Sequence, residues 1–131
     1  MKHLVYISLL LTFLSACRTD KKEQTPCAPT DVAVNPDSVD IGPIRPHTTH
    51  QARYVIHNTG AETLRITDIL PSCECTTATY DRQNTPPGES VTVTLTYEAE
   101  AFSGYFIRTA EVECNATSPV TLTLTGNITD K

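Results

Sequence analysis

The chain has no tryptophan, and aromatic residues make up only 6% of its 131 residues. Antibody-type immunoglobulin domains pack a tryptophan in their core, so this absence argues against that class. Its longest apolar run, at residues 4–14, is too short to cross a membrane, because a membrane-spanning helix needs about 20 apolar residues. The chain has 10 Lys and Arg residues against 15 Asp and Glu, and its formal net charge is −5. Because nucleic-acid binding needs clustered Lys and Arg, we predict no nucleic-acid partner.

The sequence also lacks the common catalytic motifs. It contains no Gly-x-Ser-x-Gly, no His-Glu-x-x-His and no glycine-rich phosphate loop. Ser72 has no base that the sequence places beside it. Glu98 and Glu100 follow a predicted strand, where charged residues usually form a solvated edge. We therefore predict that the protein is not an enzyme and carries no cofactor.

The N-terminus has the features of a secretory signal peptide. Met1 and Lys2 precede an apolar run at residues 4–14, and small residues follow it. The tetrapeptide Leu14-Ser15-Ala16-Cys17 resembles the lipobox of bacterial lipoproteins, where the peptidase cuts before the cysteine. This resemblance implies a signal peptide at residues 1–16 and a diacylglycerol on Cys17. Acyl chains such as palmitate anchor a protein through about 0.8 kcal/mol per buried methylene, and two or more chains hold it firmly.

Residues 17–31 are polar and charged, with too little apolar content to order themselves. We interpret them as the lipidated cysteine and a flexible linker. The predicted location is the bacterial cell envelope, with a lipid anchor in the outer membrane. The sequence leaves open whether the domain faces the periplasm or the cell surface.

From Val32 onward, apolar and polar residues alternate with a period of two, which predicts half-buried β-strands. No stretch has a helical period. We predict a single immunoglobulin-like β-sandwich over residues 32–131, because short strands at spacings of about 8–12 residues are typical of that fold. About seven strands are predicted, at residues 38–42, 51–58, 63–69, 75–80, 91–97, 104–114 and 119–125.

Several motifs follow one another in a recognisable order: His57-Asn58-Thr59-Gly60, Ser72-Cys73-Glu74-Cys75-Thr76, Pro87-Gly88-Glu89-Ser90, Val112-Glu113-Cys114-Asn115 and Leu124-Thr125-Gly126. This order resembles a bacterial family of secreted domains of unknown function (domain of unknown function 1573), whose signature is Ser-Cys-Gly-Cys-Thr. The family is similar in fold to the Ig-like domains of Hydin and the abnormal-spindle protein. The chain departs from the pattern at Glu74, where the family has glycine, and at Cys114, where it usually has no cysteine.

Four cysteines remain if Cys17 is lipidated: Cys27, Cys73, Cys75 and Cys114. An even number of cysteines in an oxidising compartment favours disulfides, and three connectivities stay open. Cys114 falls on the inward face of its predicted strand. A bond from it to the cysteine loop or to Cys27 would therefore cross the core.

The most direct functional prediction is a non-enzymatic binding or structural module, whose partner is a protein or another envelope component. The alternative is a thiol site at Cys73 and Cys75, which would bind Cu(I) or zinc or carry out redox chemistry. A closed zinc site would need further ligands from His47, His50 and His57. Glycan binding would need exposed aromatic residues, such as a cluster of Tyr80, Phe102 and Tyr105.

Overall fold

The alternating pattern produces eight strands in residues 27–130, the part of the chain that the structure, a computed structural model, describes. The strands are β1 (Val32–Asn35), β2 (Ser38–Ile44), β3 (Thr49–Asn58), β4 (Ile66–Pro71), β5 (Thr76–Tyr80), β6 (Ser90–Glu98), β7 (Gly104–Cys114) and β8 (Val120–Ile128). None of residues 27–130 is helical. No helix in this range is therefore long and apolar enough to cross a membrane.

The strands form two four-stranded sheets that pack face to face. The first sheet has the order β1-β3-β6-β5, and the second has the order β2-β8-β7-β4. All pairs are antiparallel except β2 with β8. The longest pairings, β3 with β6 and β7 with β8, occupy the centres of the two sheets. The prediction of an all-β sandwich is confirmed.

The core lies between the sheets and consists of the inward residues of each strand. In β6, Val91, Val93, Leu95 and Tyr97 are buried, while the threonines between them point away from the core. Tyr97 stacks on Phe106 of β7, with 4.5 Å between ring centroids, so an aromatic pair joins the two sheets. The buried apolar residues are Ile44, Ala52, Tyr54, Ile56, Leu64, Ile69, Val91, Val93, Leu95, Tyr97, Ala99, Phe106, Ala110, Val112, Val120, Leu122, Leu124 and Ile128.

The side chain of Tyr54 makes a polar connection across the core. It is fully buried on β3, and its hydroxyl donates a hydrogen bond of 2.7 Å to the carbonyl of Thr123 on β8. Burial raises the pKa of the Tyr54 phenol to about 12, from the ordinary value of 10.0. The interior therefore favours the neutral phenol.

One end of the sandwich is organised around Asn58, whose side chain is 0% exposed. Its Oδ1 accepts hydrogen bonds from the Thr30 hydroxyl at 2.9 Å and from the Gly60 N–H at 3.2 Å. Its Nδ2 donates to the carbonyls of Glu62 at 2.8 Å and Thr85 at 2.9 Å. The buried amide uses both donors and accepts twice, so its burial leaves no polar group without a partner.

The structure differs from the predicted strands at two places. β1 is an eighth strand, and it pairs with the end of β3 from Val32 opposite Asn58. At four residues it is too short to show a period. The third predicted strand begins three residues later than expected, at Ile66, because Leu64 forms an isolated bridge with Thr85 instead. The predicted signal peptide, Cys17 and most of the predicted linker lie outside the described residues.

Replacement of Asn58 should destabilise the domain strongly. Asn58→Ala removes four hydrogen bonds at a buried site and leaves the Thr30 hydroxyl without its acceptor, and we expect a loss of about 3 kcal/mol in unfolding free energy. Urea unfolding of residues 18–131 measures this loss. The matched control is Asn127→Ala, at an exposed position of β8, which should change stability by less than about 0.5 kcal/mol. Equal effects of the two substitutions would contradict the role of Asn58.

The domain should lose stability at alkaline pH through Tyr54. An unfolded tyrosine deprotonates near pH 10.0, whereas the folded one does so near 12, so the unfolded state binds fewer protons between these values. The unfolding free energy therefore falls as pH rises from 10 to 12. Tyr54→Phe should cost about 1 kcal/mol at neutral pH and reduce the alkaline loss. Urea unfolding over this pH range checks both, and an unchanged pH slope in Tyr54→Phe would refute the assignment.

Candidate functional site

The cysteine motif lies in a loop that crosses from one sheet to the other. Residues 72–75 connect β4, an edge strand of the second sheet, to β5, an edge strand of the first. The Ser72 N–H donates to the Thr109 carbonyl at 2.8 Å, and the Thr109 N–H donates to the Ser72 hydroxyl at 3.0 Å. At the other side, the Glu98 N–H donates to the Cys75 carbonyl at 2.8 Å. Hydrogen bonds therefore hold the loop to β7 and to β6.

Cys73 and Cys75 form a disulfide with each other. Their Cα atoms are 5.2 Å apart, which lies within the usual range for bonded cysteines. Both residues are partly exposed. Cys27 and Cys114 could have paired with each other or with the loop, but within residues 27–130 both are unpaired, and both are partly buried. Burial raises the pKa of the Cys114 thiol, so this sulfur stays protonated more readily than an exposed one.

This disulfide contributes little to holding the fold together. In the chain-entropy model, a bond that closes a three-residue loop stabilises a protein by about 1.6 kcal/mol, against about 3 kcal/mol for a 15-residue loop. The loop that it closes is also held already by hydrogen bonds to β6 and β7. The bond is a local clamp within one loop, and it does not link distant parts of the chain.

An arginine lies directly beside the disulfide. Arg108 occupies an inward position of β7, two residues from buried Phe106 and two from buried Ala110. Its Nε–H donates to Cys75 Sγ at 3.3 Å, and its guanidinium forms an ion pair with the Glu100 carboxylate. The side chains of Arg108 and Glu100 are 21% and 42% exposed. The sulfur, the cation and the carboxylate thus meet at the edge of the core.

Two aromatic rings lie close to the arginine from the core side. The guanidinium carbon of Arg108 lies 6.0 Å from the ring centroid of Tyr97 and 5.9 Å from that of Phe106. Burial raises the pKa of the Tyr97 phenol, and the nearby positive charge of Arg108 offsets part of this increase. The rings and Glu100 together restrict where the guanidinium can lie.

We call this group the Cys–Arg cluster: Cys73, Cys75, Thr76, Tyr97, Glu100 and Arg108. Thr76 completes it, because its hydroxyl oxygen lies 3.5 Å from Cys73 Sγ and 3.8 Å from Cys75 Sγ. The cluster combines a bond that can be reduced with a fixed positive charge next to one of its two sulfurs. This arrangement is suited to thiol chemistry.

The predicted metal ligands do not converge on this cluster. His50 Nε2 contacts the Thr48 hydroxyl at 2.8 Å, and His47 lies in the turn before β3. His57 Nδ1 contacts the Ser90 hydroxyl at 2.7 Å, at the end of β3 that carries Asn58. Among residues 27–130, no three His, Cys, Asp or Glu side chains come together as a metal site would require. A metal ion at the loop would have only the two cysteine sulfurs, which are bonded to each other.

The predicted aromatic cluster for glycan binding does not include Tyr80. Its ring packs against the core, and its hydroxyl is buried. Phe102 and Tyr105 are exposed, at 40% and 63%. Any glycan platform would therefore have to do without Tyr80.

A family model described as "Protein of unknown function (DUF1573)" matches residues 32–128. The chain belongs to the DUF1573 family. The resemblance that the motifs indicated is confirmed, and the match spans all eight strands of the DUF1573 domain. No curated protein matches the sequence.

Solved structures with the same fold include a protein of unknown function from Porphyromonas gingivalis W83. It is 19% identical with a TM-score of 0.67, and the match covers 83% of this chain and 51% of that one. This chain thus spans about half the length of that protein. The ASH/PapD-like domain 7 of human CEP192 is 13% identical with a TM-score of 0.60, covering 79% of this chain and 88% of that one. At these identities the likeness shows the fold alone, which agrees with the predicted Ig-like sandwich.

Glu74 shows why this DUF1573 domain tolerates a side chain where the family has glycine. Glu74 is exposed, and among residues 27–130 only His47 combines a side chain with a positive φ, at 57°. The position between the cysteines therefore needs no conformation that is reserved for glycine.

Sequence reasoning missed Arg108 and treated Glu100 as part of a solvated edge. The sequence does indicate that Arg108 points inward. It lies an even number of residues along β7 from Phe106, Ala110 and Val112, all of which are buried. A charged residue at an inward position needs a partner of opposite charge or a polar neighbour. Glu100 and Cys75 fill these roles, and the strand pattern alone does not identify them.

Removal of the disulfide should have only a small effect on stability. In the double variant Cys73→Ser/Cys75→Ser we expect a loss of about 1.6 kcal/mol or less in unfolding free energy, because the closed loop is short. Urea unfolding of residues 18–131 from an oxidising host measures it, with chemically reduced wild type as a second comparison. A loss above about 4 kcal/mol would show that the bond holds the two sheets together.

Proposed function

We propose that this DUF1573 protein is anchored by lipid at Cys17 in the bacterial cell envelope, where its Ig-like domain is a non-enzymatic binding or structural module. The observation that carries the proposal is the sequence Leu14-Ser15-Ala16-Cys17, which ends an apolar run of signal-peptide length. The first strand begins at Val32, so residues 18–31 separate the proposed anchor from the sandwich. The outer membrane is the proposed location.

The outer surface of the sandwich supports a binding role more than a catalytic one. On the outer face of β7, Tyr105 and Ile107 are 63% and 53% exposed, which gives this face an apolar element that a partner could cover. The loops at both ends add further contact area. The partner class that fits is a protein or another envelope component.

Residues 27–130 contain two hydroxyl–imidazole contacts, Thr48 with His50 and Ser90 with His57, and the second joins a serine to a histidine as a catalytic pair would. The two residues are cross-strand neighbours on β3 and β6. Both lie on the outer side of the sheet, where such pairs commonly stabilise strand pairing. A nucleophile also needs a group that orients its base, and no described contact provides a carboxylate for His57.

The anchor is tested by membrane fractionation of the full chain in a Gram-negative host. We expect wild type in the membrane fraction and Cys17→Ser in the soluble fraction or retained as unprocessed precursor, because the cysteine carries the acyl chains. Cys27→Ser, which changes the next cysteine along the chain, should fractionate like wild type. Wild type in the soluble fraction, or a Cys17→Ser variant that is processed and membrane-bound as before, would refute the anchor.

A further inference from the structure

We propose that the Cys73–Cys75 disulfide is a redox site that exchanges with external thiols, and that Arg108 is the positioning residue which makes Cys75 the leaving sulfur. This activity goes beyond the anchored module, and it does not depend on the lipid. The substrate class is a thiol or dithiol in the same compartment.

The first support is the asymmetry of the contacts around the two sulfurs. Arg108 Nε–H donates to Cys75 Sγ at 3.3 Å, whereas within the described residues Cys73 Sγ contacts only the neutral Thr76 hydroxyl, at 3.5 Å. When a disulfide is attacked, the electron pair of the breaking bond stays on the sulfur that leaves. A guanidinium N–H stabilises that negative sulfur more than a neutral donor does. The charge therefore favours departure of Cys75 and attack at Cys73.

The second support is that the positive charge is held in place before any reaction. The guanidinium is fixed by the ion pair with Glu100 and by the faces of Tyr97 and Phe106. The Glu100 contact uses the terminal NH2 group, so the Nε–H remains directed at the sulfur. A donor that is already oriented needs little reorganisation when charge develops on Cys75.

The third support is that Cys73 is accessible and that its loop is held by backbone hydrogen bonds. Cys73 is partly exposed, and its neighbours Ser72 and Glu74 are exposed, so an external thiolate can approach it. The hydrogen bonds from the Ser72 N–H to the Thr109 carbonyl and from the Glu98 N–H to the Cys75 carbonyl do not involve the sulfurs. Reduction therefore leaves the loop in place, and the two thiols stay near each other for reoxidation.

The reaction consists of two exchanges. A thiolate attacks Cys73 Sγ and forms a mixed disulfide, the Cys73–Cys75 bond breaks, and Cys75 Sγ leaves as a thiolate beside Arg108. A second external thiolate then attacks the external sulfur of the mixed disulfide, and Cys73 leaves as a thiolate. Two external thiols become one disulfide, and the protein gains the two electrons as a pair of reduced cysteines. An external disulfide reverses the sequence.

The test uses the full chain, extracted in detergent from an oxidising host and equilibrated in glutathione redox buffers. Acid quenching, alkylation and peptide mapping give the reduced fraction of Cys73 and Cys75, and fragment ions show which cysteine carries glutathione. We expect the mixed disulfide on Cys73. Arg108→Gln should lower the equilibrium constant for reduction by about tenfold, because a hydrogen bond from a charged donor to the thiolate is lost.

Three further variants separate electrostatics from structural damage. Arg108→Lys keeps the charge and should recover part of the loss, while Arg53→Gln, at an exposed position of β3, should match wild type. Glu100→Gln keeps a side-chain oxygen that can accept from Arg108 but removes a negative charge near the sulfur, so it should favour the reduced form, the opposite direction from Arg108→Gln. Damage to the fold would not produce opposite signs. If Arg108→Gln does not fold, the proposal is tested by Glu100→Gln. A shift toward the reduced form supports it, and no shift or a shift toward the oxidised form overturns it.

A cysteine-containing peptide, used in place of glutathione, identifies the source of the thiol. Faster exchange with the peptide supports protein thiols as substrates, and faster exchange with glutathione supports small thiols. The proposal is overturned if neither forms a mixed disulfide, if the adduct is on Cys75, or if Arg108→Gln and Arg53→Gln behave alike. None of these results depends on membrane fractionation, so failure of the anchor and failure of the redox site can be told apart.

Discussion

The burial of a single amide, that of Asn58, sets the arrangement of one end of the sandwich. Because an unpaired buried amide is costly, the segments that satisfy it must all converge on that end. They are the segment entering at Thr30, the turn at Gly60 and the loops around Glu62 and Thr85. Two of the sequence motifs, which include residues 57–60 and 87–90, meet here because the Asn58 carbonyl also accepts from the Gly88 N–H at 2.9 Å.

The other end of the sandwich is built on a different principle. There the residue at an inward position is a cation, Arg108, whose partners are one carboxylate, one sulfur and two aromatic rings. An apolar side chain would pack against Tyr97 and Phe106 without needing a counter-charge, so stability alone does not call for arginine here. Polar groups that a fold does not need for stability are often found at functional sites.

Much of the fold follows from the sequence because its determinant is local. In β6, β7 and β8 the alternation of apolar residues and threonine specifies both the strand and the face that it buries. β1 escaped prediction because four residues show no clear period and its pairing with β3 is non-local. The alternation that places Phe106 and Val112 inward also places Arg108 inward. Its partners, Glu100 and Cys75, lie in other segments of the chain, so the strand pattern does not identify them.

The cysteine pairing is a further case where the sequence stops short. The sequence does not distinguish the three possible connectivities among Cys27, Cys73, Cys75 and Cys114, and only the fold separates them. The structure pairs Cys73 with Cys75 in the loop, whereas Cys27 and Cys114 stay unpaired near the entering segment and the end of β7. The leader and Cys17 precede the described residues, so their assignment rests on the sequence.

The chain enters the sandwich at the end opposite the disulfide loop. The segment from Cys27 to Thr30 meets the sandwich at the Asn58 end, beside Ala116. The disulfide loop lies near the opposite end of β6. The nine residues of this strand are separated by eight steps of about 3.4 Å, so its two ends are about 27 Å apart. If a lipid tethers the chain upstream of residue 27, as proposed, the Asn58 end is the attached end of the domain. The sulfurs then lie at the free end, where dissolved molecules can reach them.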